Sequence, residues 1–197
     1  MRQDPGEPSG VLLERARRGD ARAFERLALE IERPLYRHAA RMLGQDDAAD
    51  VVQDALLSAW KSMGTFEGTS FRAWVFRIVT NRALDKLRSR RRHPELPLDP
   101  PVDDDDATGW AEPAAANPDL ADIAGDREAV RVVEETLATL PEEQRAALLL
   151  RDVEGFAYDE IAAITSAEVG TVKSRIHRGR LAVRNALVAR GWKGSRG

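Results

Sequence analysis

The chain has 197 residues, 43% of them hydrophobic, enough for one ordinary domain or two small ones with real cores. It has no cysteine and only His38, His93 and His177 as histidines, which excludes disulfides and thiolate metal sites and argues against any metal or other cofactor. The formal net charge of -3 hides a strong segregation: residues 1–92 carry 18 basic and 13 acidic side chains, residues 93–128 carry 1 and 11, and residues 129–197 carry 11 and 9.

Asp20 is placed to cap a first helix in which Phe24, Leu27, Ile31 and Leu35 recur near helical spacing; Pro34 is expected to kink or split it, and Gly44 to end it. Asp46 or Asp47 then caps a second helix with Ala49, Val52, Leu56 and Ala59 inward and acids near its positive end. A loop from Gly64 to Gly68 leads to Thr69 or Ser70 as the cap of a third helix, which starts at Phe71, buries Phe71, Val75, Ile78, Leu84 and Leu87, and ends in the basic tail Arg88 to Arg92.

From His93 to about Gly125 the composition changes. Six prolines and the run Asp103-Asp104-Asp105-Asp106 leave too little apolar surface to offset ordering entropy, which predicts a flexible acidic linker. Beyond it, Val130, Val133 and Leu137 predict a helix from Asp126 to Leu140, and Pro141, as a first-turn proline before Glu142 and Glu143, predicts another that Gly155 stops after Val153. A short helix through Tyr158, Ile161 and Ile164, a tight turn at Thr165-Ser166-Ala167 and a last helix from about Glu168 complete the pattern. Val169, Val172, Ile176, Val183 and Leu187 form the inward stripe of that last helix. No stretch alternates with period two, so the expected fold is all-α: two small helical domains on an acidic tether.

Two surfaces carry the expected function. Beyond Glu168 the chain has no acid, while Lys173, Arg175, Arg178, Arg180, Arg184, Arg190 and Lys193 follow. A short turn before a helix of one-signed charge is the pattern of a helix-turn-helix, whose second helix brings its first turns to base edges in the major groove. Here those turns hold Thr171, Lys173, Ser174, His177 and Arg178; the bland alternative is a solvated basic helix of a plain bundle. The third helix is the other basic surface, with Arg72, Arg77, Arg82, Lys86, Arg88, Arg90, Arg91 and Arg92 against Asp85 alone. Phe66, Phe71, Trp74 and Phe76 are interleaved with it, either as platforms for unpaired bases or, for Phe71 and Trp74 at spacing three, as core. Asp46, Asp47, Asp50 and Asp54 lack the spacing of a calcium loop and read as a solvated or protein-docking face. There is no phosphate loop, nucleophile elbow or histidine beside a nucleophile, so catalysis is not expected.

These residues resemble extracytoplasmic-function sigma factors of bacterial RNA polymerase across both expected domains. Asp46-Asp47-Ala48-Ala49-Asp50-Val51-Val52-Gln53-Asp54 with Trp60 is similar to region 2.2, and Phe71 through Asp85 to regions 2.3 and 2.4. Leu140 through Arg145 and Gly170 through Arg178 are similar to region 4. The resemblance implies a factor that docks on core RNA polymerase, its beta and beta-prime subunits, through Asp46, Asp47, Asp50, Gln53 and Asp54. It implies that Lys61, Phe66, Phe71, Arg72, Trp74, Arg77, Asn81 and Arg88 meet the -10 element, and that Thr171, Lys173, Ser174, Arg175, His177 and Arg178 meet the -35 element.

It further implies boundaries of 20–92 for region 2, 93–125 for the linker and 126–190 for region 4, with 1–19 a tail and the start of the first helix and 191–197 a second tail. An anti-sigma factor joins the expected partners. No leader or bilayer-length apolar run is seen, so no membrane insertion and a cytoplasmic location are expected. The pattern departs from the family at Ala157, where a Ser or Thr cap is usual, at Ser166, where glycine is common, and at Gly179, which costs a helix about 1 kcal/mol relative to alanine. A stand-alone helix-turn-helix repressor or activator is the rival reading, distinguished by stable operator binding without polymerase.

Overall fold

The computed structural model describes residues 9–68, 70–92 and 126–192, and the described residues form helices and no strand. The acidic stretch expected to be a linker lies outside the described residues. Five helical segments belong to the N-terminal part: α1 (Ser9–Arg17), α2 (Ala21–Leu43), α3 (Gln45–Ser62), a single 3-10 turn (Met63–Thr65) and α4 (Phe71–Arg92). The C-terminal part has α5 (Arg127–Thr139), α6 (Glu142–Leu148) running into a π-helical turn (Leu149–Val153), α7 (Tyr158–Thr165) and α8 (Val169–Ala189).

Capping chemistry sets several of these boundaries. The Asp20 carboxylate accepts from the Arg22 and Ala23 N–H groups at 3.0 and 3.2 Å, and Asp126 does the same for Glu128 and Ala129 at the start of α5. The Ser70 hydroxyl takes the Ala73 N–H at 3.1 Å at the start of α4. At α3 the expected aspartate caps are not used: Gly44, with φ of 90°, precedes the helix, and Asp46 and Asp47 lie in its first turn. Glycine enters that left-handed region without the Cβ clash an aspartate would meet, so the chain turns there and the acids remain near the positive helix end.

The stripes are legible but shifted in places. Pro34 does not split α2, which runs through it for 23 residues; Ile31, Leu35, Ala39 and Met42 are all buried, so packing on both sides of the proline offsets one lost backbone bond. In α3 the inward alanine is Ala48, not Ala49, which is exposed. Val130 and Val169 are 37% and 40% exposed; α5 buries Ala129, Val132, Val133 and Leu137, and α8 buries Val172, Ile176, Gly179, Val183 and Leu187. In α5 the apolar Ala129, Val130, Val132 and Val133 satisfy more than one helical phase, and the neighbouring elements select one; Val169 is the first residue of α8. Gly179 marks a close approach: a Cβ there would stand 3.1 Å from Leu148 Cδ2, so Leu148 would have to shift by a few tenths of an ångström to admit one where α8 crosses α6.

The two parts pack against each other. Helix α4 lies against α3 and α2 on one side and against α7 and α6 on the other, and α2 also touches α5. Phe76 and Phe156, both buried, meet edge to face across this junction with ring centroids 5.1 Å apart. His38, also buried, has Nε2 3.0 Å from Thr80 Oγ1 and its ring 5.5 Å from that of Phe76.

Candidate nucleic-acid interface

Helix α8 owes its position to the turn before it. Ser166 adopts the left-handed conformation (φ 53°, ψ 40°), and the Ser166 and Ala167 N–H groups both return to the Ala162 carbonyl, closing α7 and redirecting the chain within three residues. The missing side-chain cap at Ala157 is partly replaced by Glu160, whose carboxylate accepts from the Ala157 N–H at 2.9 Å. With Val172 and Ile176 buried, Lys173 is exposed and Thr171, Ser174, Arg175, His177 and Arg178 are half-buried around the same turns. Arg180 forms a two-pronged pair with Asp152 at 2.9 and 2.7 Å, fixing α8 to the end of the π-helical turn. Tyr158 carries Arg151 over its ring at 4.7 Å and Lys173 at 5.7 Å, gathering two cations beside the outer face of α8.

Along α4, Arg77 and Arg88 are exposed and Asn81 is half-buried, while Lys61 is exposed at the end of α3. Phe66 and Trp74 are half-buried and stack with centroids 4.4 Å apart, and the Arg17 guanidinium stands 5.2 Å from the Phe66 ring. They form a flat aromatic pair beside the cations. Phe71 is a correction: it is only 7% exposed and packs edge to face on Phe24, so it supports the platform from within instead of presenting its ring. Arg72 also differs from the expectation of a solvent-facing cation, because it donates to the Glu154 carbonyl at 2.8 Å and to its carboxylate at 2.9 Å.

The acidic face of α3 separates into two groups. Asp46, Asp50, Gln53 and Asp54 are exposed. Asp47 instead bonds Lys86 at 2.6 Å and Arg90 of α4; the Lys86 hydrogen bond, with Arg90 adding to it, holds its carboxyl below the ordinary range. Beside these exposed acids, of which Asp54 stands 3.8 Å from Arg82 of α4, runs an apolar groove between α2 and α3, lined by Phe24, Tyr36, Val52, Gln53, Leu57 and Trp60. Tyr36 and Leu57 are 39% and 51% exposed there; Phe24 and Val52 belong to the inward stripes read from sequence and Gln53 and Trp60 to the stretch that resembles region 2.2, whereas Tyr36 and Leu57 carry no sequence reading. The available signal was Leu57, an apolar residue off the inward stripe of α3. Among the described residues no cluster of His, Asp and Glu suits a metal ion, and no helix is long and apolar enough to cross a membrane.

Comparison with known proteins adds to this geometry. The family model for sigma-70 region 2 matches residues 27–93, and that for sigma-70 region 4 matches residues 131–183. The ECF RNA polymerase sigma-E factor of Escherichia coli K12 is 36% identical over 179 residues, covering 90% of this chain and 93% of its own length. Among solved structures, CnrH in complex with the cytosolic domain of CnrY is similar with a TM-score of 0.66 at 26% identity, over 93% of this chain and 99% of that one. The sigma factor RpoE in complex with the anti-sigma factor NepR from Bartonella quintana gives 0.61 at 29% identity, over 84% and 96%.

Proposed function

The chain belongs to the extracytoplasmic-function group of the sigma-70 family and directs transcription initiation as a promoter-recognising sigma factor, and on that premise we propose how its surfaces divide the work. Residues 20–92 bind core polymerase and the -10 element, residues 126–190 read the -35 element, and residues 93–125 tether them. The protein acts by binding, in the cytoplasm, without catalysis of its own. Asp46, Asp50, Gln53 and Asp54, with the adjoining groove at Tyr36, Leu57 and Trp60, form the face that docks on the beta-prime and beta subunits. Asp47 acts within the fold, holding α4 through Lys86 and Arg90.

Lys61, Arg72, Arg77 and Arg88 follow the backbone of the -10 strand while Phe66 and Trp74 offer a stacking face and Asn81 a polar contact; Phe71 braces them from the core. Thr171, Lys173, Ser174, Arg175, His177 and Arg178 enter the -35 major groove, where the long cations suit phosphates and Ser174 and His177 suit base edges. The observation that carries the reading is the placement of these six side chains in the first turns of α8, immediately after a three-residue turn and with Val172 and Ile176 turned inward. A complex of a similar sigma factor with an anti-sigma factor supports a partner of that kind for this chain as well.

Selection from randomised -35 sequences with core polymerase and the Ser174→Ala and His177→Ala variants tests the assignment. Each should lose preference at a small set of adjacent positions, at about 1–3 kcal/mol per lost base contact. The same consensus from wild type and both variants would remove these residues from base reading.

A further inference from the structure

Helix α1 ends beside the aromatic pair assigned to the -10 element. Leu12, Leu13 and Ala16 are buried where it packs on α2 and the 3-10 turn. The Arg18 and Asp20 N–H groups return to the Arg15 carbonyl, both at 3.1 Å, and the Gly19 N–H to that of Ala16 at 2.9 Å. The chain therefore turns sharply after Arg17, with Gly19 at φ 90°, and the backbone that carries Arg17 is fixed. Arg17 lies outside residues 27–93, the span that matches sigma-70 region 2, and is among none of the residues assigned to polymerase or DNA.

The Arg17 side chain turns onto the loop between α3 and α4. One terminal nitrogen pairs with Glu14 at 2.7 Å, and the other donates to the Gly68 carbonyl at 2.5 Å. The guanidinium carbon stands 5.2 Å from the centre of the Phe66 ring, within cation–π range. Its Nε is buried without a hydrogen-bond partner, so the group gives up hydration to make these three contacts. Phe66 also stacks on Trp74 at 4.4 Å with the ring planes 22° apart. Its ring lies so close to the loop backbone that a Cβ on Gly68 would stand 2.6 Å from Phe66 Cε2. The Phe66 N–H and the Thr65 hydroxyl bond locally, to the Met63 and Ser62 carbonyls at 3.2 and 2.9 Å, whereas Arg17 reaches Gly68 from 51 residues away.

We propose that Arg17 is a positioning residue for -10 recognition: it clamps the loop at 64–68 so that Phe66 stays stacked on Trp74 and the pair meets unpaired bases as one preorganised face. The proposal rests on the assignment of Phe66 and Trp74 to the -10 element. Without the clamp, Gly64 and Gly68 leave the loop free to carry Phe66 away from Trp74, and the loop must be ordered again at each encounter with DNA. Arg17 acts through Phe66 and is not itself a DNA contact.

Full-length variants reconstituted with core polymerase, and a forked-junction DNA probe with a single-stranded -10 segment, test this. Arg17→Ala should weaken probe binding about fivefold, the lower end of what loss of one base–aromatic stack costs. Co-purification with core polymerase and thermal unfolding should stay near wild type. Arg17→Lys, which keeps the charge but not the forked donor geometry, should recover only part of the loss. Gly68→Ala, which pushes the Phe66 ring aside and removes no charge, should weaken binding in the same way. In a double-mutant cycle, Arg17→Ala should add little in the Phe66→Ala background. Losses that add in full would make Arg17 a direct backbone contact, and undiminished binding by Arg17→Ala would remove it from recognition; either overturns the proposal. Hydrogen exchange of the free chain reads the clamp separately: peptides spanning residues 63–68 should exchange faster in Arg17→Ala, and unchanged exchange would also overturn it. A Phe66→Ala holoenzyme that binds the probe as wild type does would instead remove Phe66 from the -10 face, the assignment on which the clamp depends.

Discussion

Acid should unfold this protein partly through one residue, His38. Its imidazole is fully buried, and burial in the first place, with the charges of Arg41 and Arg72 adding to it, pushes its pKa from 6.5 down to about 4. Between those two pH values the unfolded chain binds a proton at this site that the folded chain does not, so stability is present above pH 6.5 and is lost as the pH falls toward 4. At about 1.4 kcal/mol per unit, the gap is worth about 3 kcal/mol, a large fraction of the stability of a small domain. The site offers no compensation to an imidazolium: Nε2 has Thr80 Oγ1, Nδ1 has no partner, and the nearest charges are cationic. In His38→Gln the titration is gone, while an amide remains able to bond Thr80. Urea unfolding of both proteins at a series of pH values should show wild type losing about 3 kcal/mol more than the variant between pH 7 and pH 4. Carboxylates elsewhere titrate equally in both and drop out of the difference. Stability curves that run parallel over this interval would refute the reasoning.

Four further outcomes follow from the packing and the surfaces. Ser166→Gly should stabilise the protein by about 1 kcal/mol in chemical denaturation, because it relieves a non-glycine residue in the left-handed region (φ 53°). Gly179→Ala should destabilise it by about 1–2 kcal/mol despite the gain in helix propensity, since the new Cβ would meet Leu148, itself only 1% exposed, at 3.1 Å. Charge reversal at Asp50 and Asp54 together should leave circular dichroism and thermal unfolding nearly unchanged, yet reduce co-purification with core polymerase at least tenfold. Lys173→Ala should weaken -35 binding about uniformly across sequences and lower the slope of log affinity against log salt by about one contact, read from binding isotherms at several salt concentrations.

The helices were legible because their signals are local. Asp20, Asp126 and Ser70 cap as their side-chain chemistry dictates, and Gly44 and Gly155, both at positive φ, end elements where the stripes fade. The helix-turn-helix was equally readable, its turn marked by three small residues and its second helix by charge of one sign. Phase was harder. Ala48 against Ala49, or Ala129 against Val130, are adjacent apolar residues that only the neighbouring helix can choose between. Helix α1 lies within residues 1–19, read as a tail and the start of the first helix and not as a helix of its own; it is nine residues long, and it buries Leu12, Leu13 and Ala16 while packing on α2 and the 3-10 turn.

Least legible was the junction between the two parts. Glu154 and Phe156 flank a glycine in a short connection and belong to no periodic stripe, and their meaning comes entirely from Arg72 and Phe76, some 80 residues away in sequence. Residues of that kind can be assigned only once the tertiary arrangement brings them together. The same arrangement separates Asp47, half-buried and bonded to Lys86 and Arg90, from Asp46, Asp50 and Asp54, which stay exposed although Asp54 stands 3.8 Å from Arg82; all four look alike in sequence.

Run-off transcription with purified core RNA polymerase tests the central claim most directly, using promoter templates selected from a random library by the reconstituted holoenzyme. The account predicts transcripts of defined start that need both this chain and core enzyme, and that are lost when either the -10 or the -35 element is scrambled. Specific, stable binding of the chain alone to operator DNA, with no polymerase-dependent transcript from any selected template, would contradict it.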